Sequence, residues 1–323
     1  MAPMRLIGHR GASHVAPENT LGAFRHALEC GAGIEMDLQL VRTGEVVVLH
    51  DETLRRTAPL APAALIDRDC SELELNQLRA VDVGSWFGEE WSTERVPTFV
   101  NALELLREHA TFCNAEGSAT TCWPEGTSPH CYAELKADPD GSADPRLPEA
   151  AEAAVRSLGI GPELLSWITF SKPLAEEMKR RMPEYASLLV GHASTVEDAW
   201  SVARSCVQTE LDGIDLNADP QIVTKELVDF LKGHGKMVAV WVGRAPATND
   251  GEQMWEAMHR AGVHTFTSNL PPHAISWWRN HSSKWSKQSR RVVVRRFPTR
   301  WFVGSFAVGT AVSFMVYRLM LRR

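Results

Sequence analysis

Residues 5–40 read RLIGHRGASHVAPENTLGAFRHALECGAGIEMDLQL, and the reading of this stretch sets the architecture. A short apolar strand at 5–7 runs directly into Gly8-His9-Arg10-Gly11. Asn19 or Thr20 can cap the helix that follows, in which Leu21, Phe24, Ala27 and Leu28 recur on one helical face. From Gly33 to Leu40 the pattern changes to the alternation of a strand. The turn residues Arg42-Thr43-Gly44-Glu45 then lead to a third apolar run, 46–49.

The same rhythm continues along the chain. Candidate strands lie at 132–136, 165–170, 187–190, 213–216, 237–242 and 263–267. Helical patterns fall at 98–108, 150–158, 173–181, 195–205, 225–232 and 250–261. Strands alternating with helices predict an α/β fold, either a (β/α)8 TIM barrel or a doubly wound sheet. Two stretches break the period. Residues 52–95, with Pro59, Pro62, Gly84 and Gly88, form an excursion, and residues 113–131, with Gly117, Pro124, Gly126 and Pro129, form an irregular insertion. Cys113, Cys122, His130 and Cys131 lack the paired close spacing of a structural zinc site, so a zinc cluster there is not expected.

Composition narrows the partners. The chain has 323 residues, enough for one barrel and an appendage, with hydrophobic and charged fractions ordinary for a globular protein. Arg279–Arg323 holds 11 Lys or Arg and no Asp or Glu, so the net charge of −6 becomes −17 for the rest of the chain. An acidic catalytic region repels a nucleic-acid backbone at distance, and nucleic acid is not the expected partner. Six scattered cysteines and the lack of an apolar leader after Met1 suit a reducing compartment.

Glu35 and Asp37 stand two apart in a strand, so both carboxylates project to one side of it. At the carboxyl end of a barrel strand that side opens on the mouth, where a divalent cation would relieve their repulsion. The alternative is one carboxylate in solvent and the other paired with an arginine. His9 ends the first strand, His50-Asp51 ends the third apolar run, and Glu134 and Lys136 share one face of the next strand. Polar residues that end apolar strands repeatedly predict a catalytic rim. Phosphodiester hydrolysis needs a cation, a base and an acid, and His9 and His50 can divide the proton transfers. Glu35, Asp37 and Glu134 are the expected ligands of one cation, Mg2+ or Ca2+, while Arg10 and Lys136 suit phosphate oxygens. Asp51 either orients a histidine or joins the outer shell of the metal.

His9-Arg10-Gly11, Glu18-Asn19-Thr20, Glu35-Met36-Asp37, His50-Asp51-Glu52-Thr53-Leu54 and Arg56-Thr57, followed by Tyr132-Ala133-Glu134-Leu135-Lys136, resemble the ordered motifs of the glycerophosphodiester phosphodiesterase family. The resemblance runs through Trp241 to about residue 272. It implies a TIM barrel over 4–275 with a small inserted subdomain at 52–95, a catalytic pair at His9 and His50, and metal positions at Glu35, Asp37 and Glu134. It further implies hydrolysis of a glycerophosphodiester to glycerol 3-phosphate and an alcohol, or of a lysophospholipid to lysophosphatidic acid and its head-group alcohol. A sphingomyelinase D-like lipid phosphodiesterase and an inactive membrane scaffold are the competing readings. Three features depart from the family pattern: the 113–131 insertion, Trp241-Val242-Gly243 in place of a Trp-Thr-Val-Asn-like run, and Ser268-Asn269 in place of Thr-Asp. Trp241 either lines a lipid or head-group pocket or packs in the barrel.

After Pro272 the composition shifts. Trp277, Trp278, Trp285, Trp301 and Tyr317 bracket a basic stretch and an apolar one, as at a membrane interface. Residues 276–300 read as a basic juxtamembrane segment, and 301–321 as a C-terminal transmembrane helix about 25–32 Å long. The competing reading is a terminal helix packed on the barrel. A tail anchor would leave the enzyme on the cytoplasmic face of a membrane, beside its lipid-derived substrates. Ser305, Gly309 and Ser313 carry a small-residue spacing that permits weak self-association through the membrane helix.

Overall fold

The computed structural model describes residues 4–292, apart from 117–122, 124–126, 139 and 244–249. The chain opens with β1 (Arg5–Gly8), α1 (Leu21–Cys30), β2 (Gly33–Leu40) and β3 (Val46–Val48). Two short helices, α2 (Ala63–Ile66) and α3 (Leu75–Arg79), precede the long α4 (Phe99–Glu116). Strand and helix then alternate through β4 (Cys131–Leu135), α5 (Arg146–Leu158), β5 (Leu165–Thr169), α6 (Lys172–Arg181), β6 (Ala186–Gly191) and α7 (Val196–Cys206). The series ends with β7 (Gly213–Asn217), α8 (Lys225–Gly233), β8 (Met237–Trp241), α9 (Glu252–Ala261), β9 (Thr265–Ser268) and α10 (Pro271–Val292).

β1 pairs with both β2 and β9, which closes the ring β1-β2-β4-β5-β6-β7-β8-β9 as eight parallel strands. This is the (β/α)8 barrel. β3 stands outside it. With eight residues β2 is longer than its neighbours, and β3 folds back antiparallel along its far end, Leu38 opposite Val48 and Leu40 opposite Val46. The valine run therefore carries His50 to the mouth on a returning strand, with Leu49 N donating to Asp37 O at 3.0 Å. Apolar pattern gives a strand no direction, so the sequence reading placed 46–49 among the barrel strands.

One face of each strand packs on the helices: Ile34, Met36, Leu38, Ala133 and Trp167 meet Phe24, Phe99 and Leu103 in a single core. The inner faces bury Tyr132, Ile168, Leu188, Val190 and Ala239. Below the mouth the Tyr132 hydroxyl donates across the ring to Thr265 Oγ1 at 2.9 Å. Gly33 begins β2 because a Cβ there would lie 2.3 Å from the Ile7 side chain and 2.6 Å from the His130 carbonyl oxygen. Residues 52–95 carry their own small core, in which Leu54, Cys70, Leu73 and Leu78 pack on Val47 and Leu49.

Thr20 supplies the cap of α1. Its hydroxyl accepts from Ala23 N at 3.2 Å and donates to Pro17 O at 2.7 Å, fully buried. The Thr20→Ala protein is expected to lose about 1–2 kcal/mol, read as a lower urea midpoint at unchanged m-value. A midpoint equal to that of the parent would show that the cap carries no weight.

Two sequence expectations for the carboxyl end meet different outcomes. Trp277 and Trp278 are buried, Trp277 against Trp255 and Trp278 against His259, and so pack on protein where a membrane-interface role was expected. The transmembrane helix at 301–321, with Ser305, Gly309 and Ser313, lies outside the described residues, as do Cys122 and residues 293–300 of the basic segment. Among the described residues no helix is long and apolar enough to cross a membrane. His130 places both ring nitrogens in hydrogen bonds, to Glu163 O at 2.8 Å and Ser166 Oγ at 2.9 Å.

Candidate active site

β2 and β4 lie side by side in a register that sets Asp37 opposite Glu134. Alternation then turns Glu35, Asp37 and Glu134 to the inside of the ring, where one oxygen from each lies within 4.8 Å of the others. Glu35 and Asp37 are 2% and 1% exposed, so their repulsion is hardly screened by water. Burial first, then the charges of Asp37 and Glu134, push the Glu35 pKa well above the carboxylate range. Glu134 is raised by burial, with Lys136 opposing. Burial would raise Asp37 too, but Lys136 and Arg10 more than reverse it and hold its pKa low. Glu35 Oε1 is buried without a hydrogen-bond partner. A converging set of oxygen donors with an unpaired buried oxygen fits a hard divalent cation.

The loop after β1 fixes this cluster from the other side. Arg10 and Gly11 adopt left-handed backbone, φ 55 and 81, and the turn points the Arg10 amide at Glu35 Oε2, 2.7 Å away. Gly11 is required on a second count, since a Cβ there would lie 2.6 Å from the Ala23 carbonyl carbon. The Arg10 side chain is buried between Glu18 (Nη1 to Oε1, 2.8 Å) and Asp37 (Nε to Oδ2, 3.3 Å). Asn19 Nδ2 donates to Asp37 Oδ2 at 2.7 Å. Lys136 Nζ bridges Asp37 Oδ1 at 3.1 Å and Glu134 Oε1 at 2.8 Å, and the two carboxylates outweigh burial to raise its pKa.

Both histidines reach the same cavity, of about 200 Å³, which Arg10, Glu35, Glu134, Lys136 and Trp241 also line. His9 Nδ1 lies 2.8 Å from Asn269 Oδ1, and Asn269 Nδ2 donates to Gly243 O at 3.0 Å. The amide is thereby oriented with its oxygen toward the ring. His9 Nδ1 then carries the proton, and Nε2, 4.0 Å from Glu35 Oε2, keeps a lone pair facing the cluster. Burial, followed by the Arg10 charge, pushes the His9 pKa down to about 3. His50 Nδ1 meets Asp51 Oδ1 at 2.7 Å, and Arg56 binds both oxygens of Asp51 and both of Glu18. Asp51 is therefore turned to His50 and Arg56 and stands apart from the acidic triad.

All nine residues expected from sequence thus fall in or beside one mouth. Sequence reasoning gave no role to Asn269 and did not single out Asp250, which accepts from Asn269 N at 2.6 Å and Ser268 Oγ at 3.0 Å. The departure from Thr-Asp to Ser-Asn at 268–269 was the available signal for the first. Trp241 stacks edge-on with Phe170, ring centroids 5.9 Å apart, at the outer wall.

Comparison with known proteins agrees with this geometry. Residues 9–122 match the model of the glycerophosphoryl diester phosphodiesterase family. The glycerophosphodiester phosphodiesterase of Caldanaerobacter subterraneus subsp. tengcongensis is 39% identical over 112 residues, 34% of this chain and 44% of that protein. Mouse glycerophosphodiester phosphodiesterase 1 is 38% identical over 118 residues, 35% of this chain and 34% of that protein. The matched stretch thus spans less than half of either relative. Solved structures extend the likeness of fold. An Oleispira antarctica phosphodiesterase in complex with the product sn-glycerol-3-phosphate aligns with TM-score 0.65 at 22% identity, over 85% of this chain and 96% of that one. A glycerophosphodiester phosphodiesterase from Agrobacterium tumefaciens aligns with TM-score 0.64 at 21% identity, over 85% and 100%. Residues 9–122, whose ordered motifs stand on the rim of the barrel, are thus similar to the glycerophosphoryl diester phosphodiesterase family, and the fold of the chain is similar to that of the solved phosphodiesterases.

Proposed function

We propose that this protein hydrolyses a glycerophosphodiester to glycerol 3-phosphate and an alcohol with the help of one divalent cation. The observation that carries the reading is the convergence of Glu35, Asp37 and Glu134 on one point of the barrel mouth that His9 and His50 both face. Those three carboxylates would hold the cation, Mg2+ or Ca2+, which when bound offsets charge on the non-bridging phosphate oxygens. Lys136 and Arg10 add positive charge beside the same oxygens and keep Asp37 ionised.

The two imidazoles divide the proton transfers according to their partners. His9, with Nδ1–H given to Asn269, takes at Nε2 a proton of the water whose oxygen forms the new bond to phosphorus. His50, oriented by Asp51, gives a proton to the alkoxide released when the P–O bond of the alcohol breaks. Tight tethering of Asp51 by Arg56 keeps the His50 ring from rotating away.

Purified full-length protein should release glycerol 3-phosphate and choline from glycerophosphocholine, followed by phosphorus NMR, and should stop when the metal is chelated. Turnover undiminished after complete chelation removes the cation from the account. Release of phosphocholine shows cleavage on the other side of phosphorus. Turnover of lysophosphatidylcholine or sphingomyelin in place of glycerophosphocholine moves the substrate assignment to those lipids.

A further inference from the structure

His9 is held twice by the residues that end β9. The His9 backbone N–H donates to Ser268 O at 2.9 Å, and the ring gives its Nδ1–H to Asn269 Oδ1 at 2.8 Å. Whatever fixes residues 268 and 269 therefore fixes the imidazole. One carboxylate, that of Asp250 on the connection from β8 to α9, grips both. Asp250 Oδ2 accepts from Asn269 N at 2.6 Å, and both of its oxygens lie 3.0 Å from Ser268 Oγ. Asp250 Oδ1 also accepts from Trp255 Nε1 at 2.8 Å, which ties the carboxylate to α9. Gly243, just past β8, accepts from Asn269 Nδ2 at 3.0 Å. The backbone of Asn269 is thus held by Asp250, and its side chain by Gly243 and His9.

We propose that Asp250 is a positioning residue for the His9 imidazole: by clasping Ser268 and Asn269 it keeps the ring in the tautomer that leaves Nε2 unprotonated toward the acidic triad. The inference rests on the reading of His9 as the base, and it adds a residue that does not line the catalytic cavity. The donors explain why a carboxylate stands at this position. An indole N–H and a main-chain N–H can only donate, and those of Trp255 and Asn269 approach different oxygens of Asp250. An asparagine side chain offers one oxygen, so in either orientation it would set its NH2 against one of these N–H groups. Burial raises the Asp250 pKa, the donors from Trp255, Ser268 and Asn269 oppose that rise, and among the described residues no lysine or arginine pairs with it. A half-buried charge without a cation is a costly staple, and it is accounted for where the group it holds must keep a narrow geometry.

Loss of the clasp has a definite chemical result. With Asn269 displaced, His9 Nδ1–H loses its acceptor, and Glu35 Oε2, 4.0 Å from Nε2, competes for the ring proton. A ring protonated at Nε2 has no lone pair there and cannot act as the base. Asp250→Asn is therefore expected to lower kcat for glycerophosphocholine by about 10²-fold, with KM changed by less than about threefold.

The deciding measurement needs no turnover. In full-length protein labelled with nitrogen-15 histidine, long-range proton–nitrogen correlation separates rings protonated at Nδ1 from rings protonated at Nε2. The His9 signals are identified by their disappearance in His9→Gln. The parent should show the Nδ1–H tautomer alone at pH 7.5, and Asp250→Asn a mixture of both. If Asp250→Asn fails to fold, Asp250→Ala, which leaves room for water where the carboxylate stood, carries the same test. A variant that melts at a lower temperature or turns over more slowly with the parental tautomer intact makes Asp250 a structural staple and overturns the proposal, as does a parent whose His9 already carries its proton on Nε2. A tautomer shift in the variant of a protein that does not hydrolyse glycerophosphocholine upholds the clasp and removes the reaction assigned above.

Discussion

The Glu35→Gln protein is expected to lose activity by on the order of 10³ in kcat/KM, since a bound cation is worth several kcal/mol of transition-state charge stabilisation. Its metal-free form should meanwhile become more stable than the parent at pH 8. The sign follows from the carboxyl's environment. Burial and the neighbouring Asp37 and Glu134 raise the Glu35 pKa in the folded chain, so the folded state holds a proton that the unfolded state releases. Stability contributed by that proton is present below the unfolded carboxylate value and is lost as pH rises through the raised folded value. Glutamine keeps the Oε2 side's acceptor for the Arg10 amide and removes the titration. With metal added the order reverses: at a cation concentration 100 times Kd the parent gains about 2.7 kcal/mol, and the variant gains less. Scanning calorimetry at pH 5 and pH 8, with and without MgCl2, reads all of this. A variant that keeps activity within tenfold, or that is destabilised equally at both pH values, is incompatible with a cation at the triad.

His9→Ala should lower kcat by about 10²–10⁴, the span for loss of a positioned base, with KM changed much less. The same histidine allows a finer test through its partner. Asn269 presents a neutral oxygen to His9 Nδ1, and burial already disfavours the charged ring. Asn269→Asp replaces that neutral oxygen with a carboxylate, which favours imidazolium and raises the His9 pKa. A base whose pKa rises is protonated, and so idle, up to a higher pH. The acid limb of the kcat/KM profile should therefore move upward, with the greatest loss below neutrality and recovery toward pH 8. An unchanged acid limb in Asn269→Asp, or a His9→Ala protein of near-parental kcat, assigns the base elsewhere.

Much of this site was legible in the sequence because the chemistry repeats a geometric rule. Glu35 and Asp37 two apart, and Glu134 and Lys136 two apart, announce a shared face of a strand whatever the strand's neighbours are. The strand bounds followed from apolar runs, and for β2 the predicted and observed limits coincide at Gly33 and Leu40. What pattern lacks is direction and partner. β3 reads as one more barrel strand until its antiparallel pairing with β2 is seen. Glu18 and Arg56 meet across 38 residues, and His9 and Asn269 across 260, distances over which no local signal reports a contact. Asp215 and Thr267, which line the same cavity with an oxygen each left without a hydrogen-bond partner among the described residues, are single polar residues in apolar strands, indistinguishable in sequence from residues whose hydrogen bonds are satisfied internally. Trp277 and Trp278 show the opposite error, because an indole buried on α9 and one at a lipid surface have the same composition around them.

The ring of strands is fastened unevenly. β1 and β2 share two register pairs, Ile7 with Gly33 and Gly8 with Ile34, while β2 and β4 share five. The bond from the Arg10 amide to Glu35 lies just beyond those two pairs and acts as a further stitch across the gap. Local opening of a protein starts where the fewest bonds must break together. Parting at this seam separates His9 on one side from Glu35 on the other, so under the proposed reaction an open cylinder carries no competent site, and readiness to react and closure of the barrel are one event.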